Sequence, residues 1–172
     1  MMKKNGIVKF GGNPVMLLGE EVNVGQKAEN FTAVKNDLSV FDFYKETEGK
    51  NVIISVVPSV DTGVCEQQTV RFNQEASNLS NDVVIITISV DLPFAQSRFC
   101  GAQGIENSIV VSDHKELDFG SKYGFVIEEF RLLARGILVI DKERTLKFVE
   151  YVSEVTNHPD YDAALKVVQQ LS

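Results

Sequence analysis

The sequence predicts an α/β fold in which a central mixed sheet is flanked by helices. Three observations lead there. Residues 52–57 and 83–90 are apolar runs of strand length on either side of a helically spaced segment, 65–79. Such runs around an amphipathic helix are the pattern of a right-handed βαβ unit whose sheet is covered on both faces. Residues 136–140 and 145–152, joined by Asp141-Lys-Glu-Arg144, read as strand, turn, strand and add an antiparallel pair. Last, Tyr161, Leu165, Val168 and Leu171 share one face of a closing helix over 160–171, with Asn157-His158-Pro159 as its start signal.

The remaining elements follow in order. Residues 7–10 and 15–18 read as an N-terminal β-hairpin whose turn is Gly11-Gly12-Asn13-Pro14. After a polar stretch, 31–34 and 38–43 flank a turn at Lys35-Asn36-Asp37. Pro58 stops the 52–57 strand because it has no N–H for a ladder bond. Cys65, Phe72, Ala76 and Leu79 then recur at steps of seven, four and three, one face of a helix. Asp91-Leu-Pro93 ends the second strand, and Pro93 opens a helix to about Gly101 that carries Cys100 late in its length. Residues 108–112 read as a strand and 115–122 as a short helix stopped by Tyr123-Gly124. No Pro/Gly/Ser-rich linker divides the 172 residues, so 1–172 is expected to be one domain.

Composition narrows the function classes. The formal charge is −7 and the Lys and Arg residues are scattered, which argues against a nucleic-acid surface. Val15-Met-Leu-Leu18, the longest apolar run near the N-terminus, is too short for a signal-peptide core, and no run reaches the length of a membrane span. A cytoplasmic location is expected. There, two cysteines are better suited to a transient or catalytic disulfide than to a structural one.

Cys65 lies in the first turn of its helix, where unpaired amides favour a thiolate, and Asp61 or Thr62 can serve as N-cap. Ionisation alone accomplishes little. An ordinary thiol is roughly 3% ionised at pH 7, so full ionisation raises the thiolate only ~30-fold. The larger factor must come from donors that fix the attacked oxygen and stabilise charge on the leaving one: helix-start amides, a Thr hydroxyl and an arginine. The helix from Cys65 runs about 22 Å from the sheet edge, and the strand over 83–90 returns about 26 Å, so Cys100 comes back to the same region. A disulfide needs Cα atoms about 5.5 Å apart, and a Cys65–Cys100 bond is expected to require local unwinding of a helix.

Other uses of these thiols fit less well. A cysteine hydrolase would need His114 or His158 beside Cys65 in a recognisable signature, a zinc site from these four residues lacks paired ligand spacing, and a Cys-x-x-Cys oxidoreductase is contradicted by Gln67 and Gln68 after Cys65. A thiol-based redox sensor or binding module would use the same cysteine pair and differ in rate.

Pro58-x-x-x-Thr62-x-x-Cys65 resembles the peroxidatic motif of the peroxiredoxins. The text around it is similar to the thiol peroxidases with two cysteines in one chain, the atypical 2-Cys branch. The likeness extends through Asp91-Leu-Pro-Phe-Ala-Gln-Ser-Arg-Phe-Cys100-Gly, Ser112-Asp-His, Leu132-Leu-Ala-Arg135 and Glu150-Tyr-Val-Ser-Glu-Val-Thr, covering nearly the whole chain. The resemblance implies a thioredoxin-like fold with an N-terminal β-hairpin extension. It makes Cys65 the peroxidatic and Cys100 the resolving cysteine. Thr62 would hydrogen-bond thiolate and peroxide, Pro58 would shield the pocket, and Arg135 would stabilise the thiolate and hold the peroxide oxygens. The activity implied is reduction of hydrogen peroxide and alkyl hydroperoxides without metal or organic cofactor, through a Cys65 sulfenic acid and an intramolecular disulfide. Thioredoxin would be the reductant and the assembly a homodimer. Gly63 and Gly136 stand where Pro and Ala are common in the family, which is expected to loosen the loop and the strand around Arg135.

Overall fold

The computed structural model describes residues 3–171. Its elements are β1 (Lys3–Phe10), β2 (Asn13–Leu18), β3 (Thr32–Val34), β4 (Val40–Asp42), α1 (Phe43–Glu46), β5 (Asn51–Val56), α2 (Gly63–Ala76), β6 (Val83–Ser89), α3 (Pro93–Gln103) and β7 (Ile109–Ser112). They continue with α4 (Asp118–Tyr123), β8 (Val126–Ile127), β9 (Leu132–Leu133), β10 (Gly136–Ile140), β11 (Leu146–Tyr151) and α5 (Tyr161–Gln170). Seven strands form the central sheet in the order β11-β10-β5-β6-β7-β3-β4. β5, β6 and β7 run parallel, and the outer pairs are antiparallel, so the sheet is mixed as expected.

All six residues of β5 are buried, which explains why its sequence shows no polar alternation. Ile53 packs with Phe72 of α2 and Ala164, Leu165 and Val168 of α5 on one face. Val52, Ile54 and Val56 face the other way, into a core that holds Phe31, Phe43, Phe119 and Phe125. A third, smaller cluster at the C-terminal end of β5 joins Val57, Val60, Cys65, Phe99, Ile105 and Val110, and the half-buried Cys100 packs against it. The two thiols thus border one apolar cluster, and both are free.

Several boundaries differ from expectation for local reasons. The hairpin turn is only Gly11-Gly12, both at positive φ (61° and 84°), while Asn13 and Pro14 already pair with Phe10 and Lys9. Such a two-residue turn matches the strand twist better than a four-residue one. Helix α3 passes Gly101 and ends at Gly104, the glycine that adopts the left-handed cap conformation (φ 65°). Helix α4 begins only at Asp118, after Leu117 at φ 50°. Strands β8 and β9 were not expected at all; with the hairpin they form a second sheet in the order β1-β2-β8-β9, and two-residue strands carry no readable period.

Candidate active site

Strand β5 delivers Pro58, and the loop after it is pinned from the next strand. Asp91 accepts hydrogen bonds from the Ser59 hydroxyl (2.7 Å), the Val60 N–H (2.8 Å) and the Ser89 hydroxyl (2.6 Å). That carboxylate fixes the loop on which Thr62 sits and the start of α2 that follows it. Thr62 has the extended backbone of an N-cap, yet its side chain makes no capping bond. Its hydroxyl donates instead to the Ser59 carbonyl at 3.2 Å, which leaves the oxygen lone pairs available to a ligand.

Cys65 follows in the first turn and has no exposed surface. Arg135, in the turn between β9 and β10, is also buried, and its guanidinium is held at three points. Nε donates to the Val155 carbonyl (2.7 Å), Nη1 to Gln68 Oε1 (2.9 Å), and Nη2 to Cys65 Sγ (3.2 Å). Gln68 is itself buried, and its Nε2 donates to the Ser55 hydroxyl at 2.8 Å. A buried charge is tolerated only when its protons find acceptors, and here carbonyl, amide and thiol supply them. Arg135 and Cys65 meet as the resemblance implied, whereas the parts played by Gln68, Val155 and Asp91 were not expected from the sequence. Gln68 had a signal: it lies one helical turn after Cys65, a polar residue spaced to share the buried side of α2 with Cys65, Thr69 and Phe72.

Pro58, Thr62, Gly63, Val64 and Arg135 line a half-open cavity of about 270 Å³ together with Phe10, Val155 and Thr156. A larger cavity of about 360 Å³ lies between the β3–β4 hairpin and residues 112–116; His114 lines it and neither cysteine does. His158 bonds the Tyr161 hydroxyl through Nδ1 at 2.8 Å. Among the described residues no group of three or more His, Cys, Asp or Glu side chains converges as metal ligands would.

Cys100 occupies the last turn of α3, where its carbonyl accepts from Gly104 N–H and Ile105 N–H. Burial pushes its thiol pKa up, and a hydrogen bond with the Asn36 side chain partly opposes that. Gly63 and Gly136, grouped in the sequence reading as sources of looseness, differ sharply. A Cβ on Gly63 would meet open space, whereas one on Gly136 would overlap the Glu150 carbonyl oxygen and the Phe125 ring. Gly136 therefore permits close packing and leaves no slack beside Arg135.

The pattern of the Redoxin family matches residues 23–165. A thiol peroxidase of Oceanobacillus iheyensis is 56% identical over 158 residues, 92% of this chain and 95% of that one. A thiol peroxidase of Bacillus subtilis is 48% identical over 164 residues, 95% of this chain and 97% of that one. Among solved structures, a peroxiredoxin-like protein from Aquifex aeolicus matches with a TM-score of 0.89 at 36% identity, covering 98% of this chain and 99% of that one. A thiol peroxidase from Chromobacterium violaceum shares the fold with a TM-score of 0.84 at 20% identity, over 95% of each chain. The fold is thus thioredoxin-like, as the resemblance implied. With about half of the residues identical along nearly all of both chains, the protein belongs to the Redoxin family and is a peroxiredoxin-type thiol peroxidase.

Proposed function

We propose that the enzyme reduces hydrogen peroxide and alkyl hydroperoxides through Cys65, with Cys100 as resolving thiol and thioredoxin as reductant. The observation that carries this reading is the Arg135 guanidinium, buried and aimed at Cys65 Sγ at 3.2 Å beside an open cavity. The Cys65 thiolate attacks one peroxide oxygen, the O–O bond breaks, and the leaving oxygen takes a proton to depart as water or alcohol. Cys65 is left as a sulfenic acid. Cys100 then attacks that sulfur, expelling water and forming the disulfide, and a dithiol of thioredoxin returns both cysteines to thiols.

Each residue has a task in this scheme. Thr62 accepts a hydrogen bond from the peroxide O–H and so orients it, while Arg135 holds the peroxide oxygens and stabilises the charge that grows on the leaving oxygen, the kind of contribution that dominates such reactions. Pro58 shields the pocket from water. Closing the Cys65–Cys100 bond unwinds the last turn of α3, the end at which a helix opens most easily. The exposed Leu92 and Phe94 at the start of α3 offer an apolar face for a homodimer, and a cytoplasmic setting suits a reductant-dependent thiol pair.

Rapid-mixing kinetics test the scheme. Wild type and Cys100→Ser should consume the first equivalent of peroxide at the same fast rate, Cys100→Ser should then stall, and Cys65→Ser should show no fast phase. A fast phase in Cys65→Ser would overturn it, and slow oxidation of wild type would favour a redox sensor.

A further inference from the structure

One carboxylate joins the N-terminal hairpin to the loop after β11. Glu154 accepts hydrogen bonds from the Gly11 N–H (3.0 Å), the Gly12 N–H (2.6 Å), the Thr156 N–H (3.0 Å) and the Thr156 hydroxyl (2.9 Å). The first two donors are available because both glycines hold positive φ, which turns their amides outward from the hairpin. Beside the carboxylate, the Lys9 N–H donates to the Ser153 carbonyl (2.8 Å) and the Val155 N–H to the Lys9 carbonyl (2.9 Å). The backbone is therefore tied on both sides of Phe10, through Lys9 before it and Gly11 after it.

This clasp assembles one wall of the cavity that Arg135 opens onto. Phe10 comes from the hairpin, and Val155 and Thr156 come from the loop, segments more than 140 positions apart in sequence that meet at Glu154. Phe10 is supported from outside by Phe130, edge to face with ring centroids 5.4 Å apart. The same Val155 that lines the cavity supplies the carbonyl holding Arg135 Nε. Wall and guanidinium are thus set by one loop. Phe10 and Val155 line the same cavity as Arg135, so the organic group of a peroxide whose O–O bond sits under Arg135 lies along them.

We propose that Glu154 is a positioning residue for substrate selection, holding the hairpin so that Phe10 and Val155 present an apolar wall to the organic group of a hydroperoxide. The inference rests on the reading that peroxide reacts at Cys65 beneath Arg135. Hydrogen peroxide, having no organic group, gains nothing from the wall. The Thr156 and Gly12 N–H groups pull the Glu154 pKa down to about 2, so the clasp stays anionic across the neutral range.

The test compares cumene hydroperoxide with hydrogen peroxide. Glu154→Ala should lower the ratio of kcat/KM for cumene hydroperoxide to that for hydrogen peroxide about tenfold, a change of about 1.4 kcal/mol. The loss should appear in KM, since uniform binding is what the wall supplies. In a Phe10→Ala background the ratio should already be low, and adding Glu154→Ala should move it less than about twofold, because the two side chains act through one wall. Glu154→Gln, which keeps the shape and one acceptor oxygen, should fall between and guards against a misfolded alanine variant; exchange of the Gly11 and Gly12 amides should quicken in both. An unchanged ratio, or an equal fall with and without Phe10, overturns the proposal. Cys65→Ser run alongside separates the two failures: if it retains fast turnover the underlying reading is wrong, and if it is inactive while the ratio stays fixed only the clasp is wrong.

Discussion

Cys65 and Cys100 border the same apolar cluster, yet their surroundings differ in kind. Cys65 is fully buried at a helix start, and a guanidinium held by the Val155 carbonyl and by Gln68 of the same helix donates to its sulfur. Cys100 is half-buried at a helix end, beside Asn36, in a setting that favours the neutral thiol. The first thiol is enclosed and touched by a buried cation; the second lies in the last turn of a helix. Two thiols of identical chemistry are thereby given different surroundings by helix position and by one buried cation.

The contrast can be broken at its cation. Arg135→Lys leaves a single nitrogen that cannot serve Val155, Gln68 and Cys65 together, and the rate of Cys65 oxidation should fall about 10²–10³-fold in rapid-mixing measurements. The reactivity of Cys100 toward a thiol-alkylating reagent should stay as it is. Gln68→Ala acts one step back. It strips a buried acceptor from Arg135 and a buried donor from Ser55, so thermal unfolding should show a loss of about 1–3 kcal/mol, with a slower peroxide reaction.

Of comparable size, Gly136→Ala should destabilise by about 1–3 kcal/mol through overlap with Phe125 and Glu150, while Gly63→Ala should lie within about 0.5 kcal/mol of wild type. Equal effects at the two glycines would contradict the packing described beside Arg135.

A pH-dependent effect sharpens the Cys100 side. Helix α3 is tied to β7 by Gln96, whose side-chain amide donates to the Val111 carbonyl at 2.8 Å, and Asp113 follows that strand. Burial raises the Asp113 pKa to about 7 although Gly120 N–H and Phe119 N–H, which it accepts at 2.8 and 3.1 Å, lower it. A carboxyl raised on folding binds its proton more tightly in the native state. Its contribution is therefore most favourable below about pH 4 and declines, at no more than about 1.4 kcal/mol per unit, as pH rises toward about 7. Urea titrations at pH 5 and pH 7 should show that decline in wild type relative to Asp113→Asn, and parallel pH profiles would refute it.

The sequence made some of this legible for physical reasons. Strands β5 and β6 are buried on both faces and read as unbroken apolar runs, α2 shows its helical spacing, and the turn after β5 is marked by Pro58. Strands β8 and β9 are too short for any period, and the end of α3 depended on which of Gly101 and Gly104 turns left-handed, which spacing does not fix. At the site, Cys65, Thr62 and Arg135 were visible in motif-bearing segments. The roles of Gln68, Asp91 and Glu154 were not, although Asp91 and Glu154 lie in such segments too, because those roles rest on hydrogen bonds to backbone and side chains remote in sequence.

The central claim is that oxidation begins at Cys65 and not at Cys100. It is tested most directly by exposing Cys100→Ser and Cys65→Ser separately to one equivalent of hydrogen peroxide with a carbon nucleophile that caps sulfenic acids, then mapping adducts by peptide mass spectrometry. The account predicts near-complete capture at Cys65 in the first variant and none at Cys100 in the second. Equal capture at the two thiols, or none at Cys65, would contradict it.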